Sequence, residues 1–431
     1  MNHSNKTINK YLSSYAEPEI KNFNVQLPLA FESVLVIPVF DEPIDNLNHF
    51  LELPSSKSVL IIWVFNCPDN VKRDEQNRTQ FVMDYFIQQL NAQKLENCRG
   101  TYFSQVNNKL GVYLLNRCSS GQTIPEKQGV GLARKLGMDF GLKLIDLQNQ
   151  NLVKQVRLIH SSDADVRLPY GYFDVPDLEE NTSAVIYPFE HKAVKGFNQS
   201  MALYEFSLRY YVERLDWVGS PYAFHTIGSL IAVTPLAYAQ VRGMPKRSGA
   251  EDFYLLNKLA KVGSVISLQG PVIEIAGRPS HRVPFGTGPA LIKLQQMEDP
   301  FAEYTFYHPE IFHALKQVLN TVSSHGQSIA SVELLFRQLS DRMSSDMATS
   351  VITVLRLLKI EKQFEHLSQK KNRTQFIDGF NTWFDAFVTL RFIHLMRDLA
   401  YPNITLEALK KYFENEGVSL EYYPRITALG I

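Results

Sequence analysis

The sequence predicts an α/β protein in which a mostly parallel sheet is flanked by helices and followed by an α-helical C-terminal region. Residues 33–40 and 59–65 are continuous apolar runs rich in β-branched residues, which is typical of strands buried on both faces of a parallel sheet. Residues 78–91 then carry apolar residues at helical spacing. Beyond Pro300 strand-like runs stop and helical spacing dominates. A chain of 431 residues is long for one core, and we expect an arm over 1–32, an α/β domain over 33–300 and a helical domain over 301–431.

The remaining elements of the α/β region follow from shorter apolar runs and from turn residues. Pro38 cannot donate a hydrogen bond to a neighbouring strand, so the first strand is expected to end or become irregular there. Further strands are predicted at 113–116, 156–159, 184–189, 230–233, 265–268 and 272–275. Further helices are predicted over 123–145, 197–217, 235–243 and 251–263.

The predicted helix over 123–145 has a marked start and an unusual number of small residues. Thr123 and Glu126 have the spacing of a capping box, and Pro125 suits the first helical turn. Close packing on a sheet or a ligand would explain why the helix tolerates Gly129, Gly131, Gly137 and Gly141. Arg134 is expected on the face of small residues, and Lys135 is expected to be a solvated surface charge.

Composition narrows the class of protein. Lys plus Arg and Asp plus Glu number 44 each, so no net charge favours binding to nucleic acid or to an acidic membrane surface. The three cysteines have no Cys-x-x-Cys spacing, which suits reduced thiols in the cytoplasm. The first ten residues do not form a signal peptide, and no apolar run is long enough to span a membrane. We therefore expect a cytoplasmic protein without a transmembrane segment.

Polar residues follow several predicted strands. Asp163 and Asp165 come after the apolar run at 156–159, and two carboxylates at this spacing can reach one Mg²⁺ or Mn²⁺ ion together with substrate phosphates. Glu42 follows the first strand, at the edge where open α/β sheets bind ligands. Glu251 and Asp252 open a helix, and the helix dipole alone would explain two acids there.

In order and spacing these motifs resemble glycosyltransferases of the GT-A fold, a Rossmann-like fold that binds nucleotide-sugars, and most closely family 2. The motifs are the strand from Val34 to Glu42, Asp163-Ala164-Asp165, Gly228-Ser229 before a strand, and Ala250-Glu251-Asp252 at a helix start. The resemblance covers about residues 33–290. It implies a metal-dependent transfer of a sugar from a UDP- or GDP-sugar to an acceptor hydroxyl.

The resemblance also implies a role for each matching residue. Asp163 and Asp165, with His281, would bind Mg²⁺ or Mn²⁺, and Asp252 would be the general base with Glu251 supporting it or the acceptor. Glu42 and Asn66 would contact the nucleoside, although the family often has an acid at the second position, and Arg134 would lie near the diphosphate. Donor contacts are also expected from Pro38, Asp163, Gly228, Ser229, Arg278 and Arg282.

The chemistry of sugar transfer requires such groups independently of the family. The leaving nucleoside diphosphate develops negative charge, which a dication and an arginine stabilise. The acceptor hydroxyl needs a carboxylate to take its proton. A helix N-terminus lowers the pKa of Asp252, so this carboxylate is expected to be a weak base that depends on good positioning. Asp252 as base favours inversion of the sugar, although retaining enzymes share the fold.

Two other functions remain open from the sequence. Asp163-x-Asp165 after a strand also matches the nucleophile and acid of a haloacid-dehalogenase-like phosphatase, although Val166-Arg167 fits that motif only in part. A catalytically silent protein that binds nucleotide-sugars is the other alternative. The aromatic stripe over 376–395 is typical of a core or of a subunit interface, so the C-terminal helices could form a homo-oligomer.

Overall fold

A computed structural model describes residues 3–416, except 22, 24–29, 54, 97, 151–155, 281–285 and 326–330. The chain forms two compact units, the first comprising Met1–Val194 with Thr226–Pro289 and the second Lys195–His225 with Ala290–Ile431. This division differs from the expected boundary at residue 300, because the helix between the two parts of the first unit contributes Leu203, Phe206 and Tyr210 to the core of the helical unit.

Strands and helices alternate along the first unit, as the sequence predicts. Its strands are β1 (Ser33–Val39), β2 (Val59–Asn66), β3 (Gln93–Lys94), β4 (Thr101–Gln105), β5 (Leu110–Arg117), β6 (Ile159–Ser161), β7 (Val166–Arg167), β8 (Thr182–Ile186), β9 (Phe189–Ala193), β10 (Ile231–Val233), β11 (Ser264–Ser267) and β12 (Ile273–Gly277). The short strands β13 (Thr305–Phe306) and β14 (Ile404–Thr405) belong to the second unit.

Helices become the main element after β12, also as predicted. The helices are α1 (His3–Ser14), α2 (Pro18–Lys21), α3 (Asp45–Leu51), α4 (Arg73–Gln89), α5 (Gly129–Gln150), α6 (Asn198–Trp217), α7 (Pro235–Gln240), α8 (Glu251–Leu259), α9 (Thr287–Gln295), α10 (Pro300–Glu303), α11 (Pro309–His325), α12 (Val332–Ser340), α13 (Ser345–Leu357), α14 (Ile360–Leu367), α15 (Arg373–Trp383), α16 (Ala386–Leu399) and α17 (Leu406–Asn415). None of the helices in the described ranges is both long enough and apolar enough to cross a membrane.

A mixed sheet forms the core of the first unit. Its nine described strands lie in the order β11-β8-β10-β6-β1-β2-β5-β4-β3. β1 pairs in parallel with β2 and β6, and β2 pairs in parallel with β5, whereas β10 is antiparallel to β6 and β8 and β4 is antiparallel to β5. The predicted α/β class is therefore confirmed, with a parallel centre and two reversed strands. β7, β12 and β9 form a separate small sheet.

Pro38 does not end the first strand. β1 continues to Val39, and Pro38 pairs with Val64 of β2. On the other side the ladder between β1 and β6 stops at Val36 and Ser161. A proline is tolerated in this central strand because it lies beyond the point where β1 has neighbours on both sides.

Helix α5 packs directly on β1 through its small residues. A Cβ atom on Gly137 would lie 2.3 Å from Cγ1 of Val36, and one on Gly141 would lie 2.9 Å from Cγ1 of Val34. This confirms close packing on the sheet as the reason for these glycines. The helix begins at Gly129, so the capping box predicted at Thr123 is wrong. Ile124 instead forms a parallel bridge with Pro68.

Gly137→Ala should destabilise the protein by about 1–3 kcal/mol, because the added methyl group overpacks the contact with Val36. Urea unfolding of the full-length variant would measure the change. Val36→Ala removes the clashing methyl groups, and the double variant should therefore be less destabilised than the sum of the two single variants. Additive effects would contradict the close contact.

A buried polar cluster joins α1 to α5. Lys135 Nζ donates to Asp139 Oδ2 at 2.9 Å and to the Tyr11 hydroxyl at 2.7 Å. Asp139 also accepts hydrogen bonds from the hydroxyls of Tyr11 and Tyr238 and from the backbone N–H of Glu17. The sequence suggests that Lys135 is a solvated surface charge, and this prediction is wrong. Helix α1 covers the side chain. Residues 3–21, within the expected N-terminal arm, belong to the first unit.

The second unit has an apolar core built from helices. Phe376, Phe380 and Phe384, from the aromatic stripe, are buried in it, while Phe387 is 41% exposed. Most of the stripe is therefore internal core.

Candidate functional site

The candidate site lies at the carboxyl ends of β1 and β6. β2, the next strand in the chain, pairs with one side of β1. β6, which comes later in the chain, pairs with the other side of β1. Open α/β sheets bind ligands at such a switch point. Glu42 follows β1, and Asp163 and Asp165 lie in the turn between β6 and β7. The structure thus places these predicted residues at neighbouring strand ends.

Arg134 is the buried centre of one side of the site. Its Nη2 donates to Asp163 Oδ1 at 2.6 Å, and its Nε donates to Glu251 Oε1 at 3.1 Å. Nη1 donates to Ser161 Oγ at 2.7 Å and to the carbonyl oxygen of Ser162 at 3.1 Å. Burial alone lowers the pKa of this guanidinium, but the neighbouring carboxylates raise it above its ordinary value. The arginine is therefore a fixed cation at the end of β6.

The helix and loops around Arg134 fix its position. A Cβ atom on Gly228 would lie 2.6 Å from Nη2 of Arg134, so only glycine fits beside the guanidinium. The N–H of Gly131 donates to the carbonyl oxygen of Arg247 at 2.9 Å, which holds the loop before α8 against the start of α5. The small residues of α5 and the Gly228-Ser229 motif therefore both serve to bring Arg134 and α8 together.

Arg278 forms a second charged centre. Its Nη2 donates to Glu42 Oε1 at 2.8 Å and to Asp165 Oδ2 at 2.9 Å. Asn46 Nδ2 donates to the other oxygen of Glu42 at 2.7 Å. Burial alone lowers the pKa of Arg278, while the two carboxylates raise it above its ordinary value. One guanidinium therefore bridges the residue expected to contact the nucleoside and a residue expected to bind metal.

Glu251 and Asp252 have different environments at the start of α8. Ala250 precedes them with φ of 58°, in the left-handed region. The Glu251 side chain is 6% exposed and pairs with Arg134, whereas Asp252 is only partly buried and accepts a hydrogen bond from the N–H of Phe253 at 2.7 Å. Burial, followed by the charge of Glu251, raises the pKa of Asp252 to about 7. Desolvation and the neighbouring carboxylate thus act on the pKa of Asp252 in the direction opposite to that expected from the helix dipole.

Three buried polar atoms near these strand ends have no hydrogen-bond partner among the described residues. They are Asn66 Oδ1 at the end of β2, Ser162 Oγ and Ser229 Oγ. Buried polar groups are normally paired, so each of these atoms could serve a ligand. Ser161 and Ser162 do not stand out in the sequence, although two serines between a buried strand and an acidic pair would be a usable indication.

The described residues contain no cluster of three or more His, Cys, Asp or Glu side chains placed to hold a metal ion. His281 and Arg282 lie outside the described residues. Asp163 and Asp165 have side-chain exposures of 36% and 20% and are accessible to a cation. Mg²⁺ commonly takes one or two protein carboxylates and completes its coordination with water and substrate phosphates. The aspartate pair fits such a shared site.

Comparison with known proteins identifies no family for this chain. No protein-family model matches the chain, and a search of curated proteins found no match. Its function therefore has to be inferred from the geometry of the site.

Proposed function

We propose that this protein is a GT-A glycosyltransferase, similar to family 2, that moves a sugar from a nucleotide-sugar to an acceptor hydroxyl with Mg²⁺ or Mn²⁺. The observation that carries the proposal is that Arg134 joins Asp163 to Glu251, next to a carboxylate whose pKa is raised. A cation for phosphate and a carboxylate suited to proton abstraction thus converge on one edge of the first unit.

The donor would occupy the ends of β1, β2 and β6. Glu42 and Asn66 would contact the nucleoside, and Asn66 Oδ1 is a buried acceptor that a base or ribose group could satisfy. Arg278 would face the diphosphate, since guanidinium groups match phosphate oxygens in geometry and charge, and Arg134 would lie near the diphosphate behind Asp163. A bound dication would neutralise charge on the leaving diphosphate.

Asp252 would accept the proton of the acceptor hydroxyl. As the acceptor oxygen forms its bond to the anomeric carbon, the bond from that carbon to the phosphate oxygen breaks, and the electron pair leaves with the nucleoside diphosphate. A pKa near 7 suits this task, because the group is then a stronger base than an ordinary aspartate and still ionised in part at neutral pH. Attack from the face opposite the leaving group gives inversion.

Asp165→Asn should weaken Mn²⁺ binding in the presence of UDP or GDP by about tenfold or more, because it removes one of two carboxylates that share the ion with the phosphates. Calorimetric titration of metal, with and without nucleotide, would measure this effect. Asp177→Asn is the matched control, since Asp177 is a fully exposed aspartate that pairs with Arg157. Equal titrations for Asp165→Asn and wild type would remove the metal assignment.

A protein that binds nucleotide-sugars without turnover is the second candidate. Asp163 and Asp165 each pair with an arginine, which gives both acids a structural role as well. Incubation with UDP-, GDP-, ADP- and CDP-sugars and Mn²⁺ separates the two functions. Release of nucleoside diphosphate supports the transferase, and a rise in thermal midpoint without release supports the silent protein.

A further inference from the structure

One part of the first unit is strongly basic, although the chain as a whole has no net charge. Residues 1–16 and 226–250 both belong to this unit, and together they contain five Lys or Arg and no Asp or Glu. All five basic residues are exposed, and we call them the basic surface: Lys6, Lys10, Arg242, Lys246 and Arg247. Their side chains take no part in the proposed transfer reaction.

The two acid-free segments are neighbours in the structure. Helix α1 of the first segment packs against α7 of the second. The guanidinium carbon of Arg242 lies over the ring of Tyr15, 4.8 Å from its centroid. Lys246 Nζ lies 3.2 Å from a carboxylate oxygen of Glu17, directly after the first segment. The basic residues of both segments therefore share one side of the unit.

Helix α1 carries its two lysines on its outer face. Ile8, Tyr11 and Leu12 of this helix are buried. Lys6 and Lys10 lie four residues apart, so they are neighbours, and at helical spacing they fall on the side opposite the buried residues. The helix contains no acid, and no ion pair within it compensates the two charges.

Ion pairs neutralise little of the charge on the basic surface. Glu17 is shared between Lys246 and the buried Lys135. Arg242 and Arg247 instead lie over tyrosine rings, and neither makes an ion pair with a carboxylate in the described part of the chain. Most of the positive charge therefore remains available to a partner.

A lysine below the basic surface is subject to the same excess of positive charge. Lys258 Nζ donates to the carbonyl oxygen of Val241 at 3.1 Å, next to Arg242 in the chain. Burial, followed by the charges of Lys135 and Arg242, lowers the pKa of this lysine. Positive charge is thus concentrated both at the surface and beneath it.

We infer that the basic surface binds an anionic phospholipid membrane. Each Lys or Arg near such a membrane contributes about a factor of five in affinity. The cations are spread along a helix and a loop, which suits an extended anionic surface better than a single phosphate. Tyr15 is 37% exposed beside Arg242, and an amphipathic tyrosine suits the headgroup region.

A nucleic acid is another extended polyanion that a basic surface can bind. Sites for single strands combine positive charge with aromatic rings on which the bases stack. Here the guanidinium groups of Arg242 and Arg247 already lie over the rings of Tyr15 and Tyr254, at 4.8 and 4.0 Å from the ring centroids. This arrangement favours the membrane, and binding to DNA is a contrary outcome of the test.

The test uses the full-length protein without nucleotide-sugar. Vesicles of phosphatidylcholine, alone or with about one-third phosphatidylglycerol, would be floated through a density gradient to measure the bound protein as lipid concentration rises. The wild type should bind the anionic vesicles about 10²–10³-fold more tightly than the neutral ones. Added salt should release it, because salt screens exposed charges.

Two double variants test the residues of the basic surface. Lys6→Gln combined with Lys10→Gln removes the charges on the outer face of α1, and Arg242→Gln combined with Arg247→Gln removes those of the loop. Each should weaken binding to the anionic vesicles by about tenfold or more, since each removes two cations. The lysine variant alters only an exposed helix face, so it keeps the test valid if the arginine variant is unstable.

Lys362→Gln combined with Lys411→Gln is the matched control. These are exposed lysines of the second unit, and Glu361 and Glu414 lie close to them in the chain. The control changes the net charge by the same amount and should bind the vesicles like the wild type.

Circular dichroism would establish that the variants are folded. The inference fails if the wild type binds both kinds of vesicle equally, if either folded double variant of the basic surface binds the anionic vesicles like the wild type, or if the protein binds a DNA duplex and not the vesicles. Because no nucleotide-sugar is present, these results are independent of the proposed transferase activity.

Discussion

Asp252→Asn should reduce kcat by about 10²–10⁴-fold, equivalent to roughly 3–5 kcal/mol of barrier, and should leave the KM of the nucleotide-sugar nearly unchanged. Asparagine keeps the size and hydrogen bonding of the side chain but cannot accept the acceptor proton. An effect on kcat without an effect on donor KM is expected because Asp252 would face the acceptor rather than the diphosphate. Steady-state kinetics with the donor identified by the nucleotide-sugar screen would measure both constants.

The pH dependence gives a second measure of the same role. The base works only when ionised, so kcat/KM should rise with pH through the pKa of Asp252, which burial and the charge of Glu251 raise to about 7. Activity should therefore be present above that pH and lost below it, and Asp252→Asn should abolish this dependence.

Asp346→Asn is the control for the Asp252 experiment. Asp346 is an exposed acid in the first turn of α13, so its loss measures the helix-dipole contribution of such a residue alone. Folded Asp252→Asn with turnover near that of the wild type would exclude Asp252 as the base. Glu251 would then be the next residue to test.

Arg134→Met should destabilise the protein by about 3–5 kcal/mol, because it leaves the Glu251 carboxylate buried without its cation. The side chains of Arg134 and Glu251 are only 4% and 6% exposed, so water cannot replace the lost partner. Urea unfolding followed by tryptophan fluorescence would measure the loss, with Trp63 of β2 reporting on the first unit.

Two further variants test the cause of this instability. Arg134→Met combined with Glu251→Leu removes both charges and should recover most of the stability. Arg157→Met breaks a pair with the fully exposed Asp177 and should cost no more than about 1 kcal/mol. If the double variant were as unstable as Arg134→Met alone, packing rather than the unpaired charge would be the cause.

The sequence predicts the central strands and the position of the acidic pair because both depend on local patterns. The apolar runs of β1 and β2 and the turn that carries Asp163 and Asp165 need no knowledge of distant residues. The burial of Lys135 requires knowing that α1 covers it, and the pKa of Asp252 requires knowing how much of α8 is desolvated. Neither fact is contained in residue spacing.

The salt-bridge partner of an arginine is likewise not contained in local residue spacing. Helical position alone suggests that Arg134 faces small residues, but its partner Glu251 is 117 residues away in the chain. The β3–β4 hairpin is also missed, because β3 has only two residues and both are exposed, so it lacks an apolar run. Contacts between distant residues and short exposed strands are therefore the parts of this fold that only the structure reveals.

Arg278 links two residues of the proposed donor site through one side chain. While its Nη2 contacts both Glu42 and Asp165, the carboxylates share a single compensating charge. A cation bound to Asp165 would weaken the hydrogen bond between this carboxylate and Arg278, and a ligand bound to Glu42 would weaken the hydrogen bond between Glu42 and Arg278. Their binding free energies are then coupled, and by thermodynamic reciprocity each must change the affinity of the other by the same factor. Metal binding and nucleoside binding would thus affect each other through the hydrogen bonds of the Arg278 guanidinium.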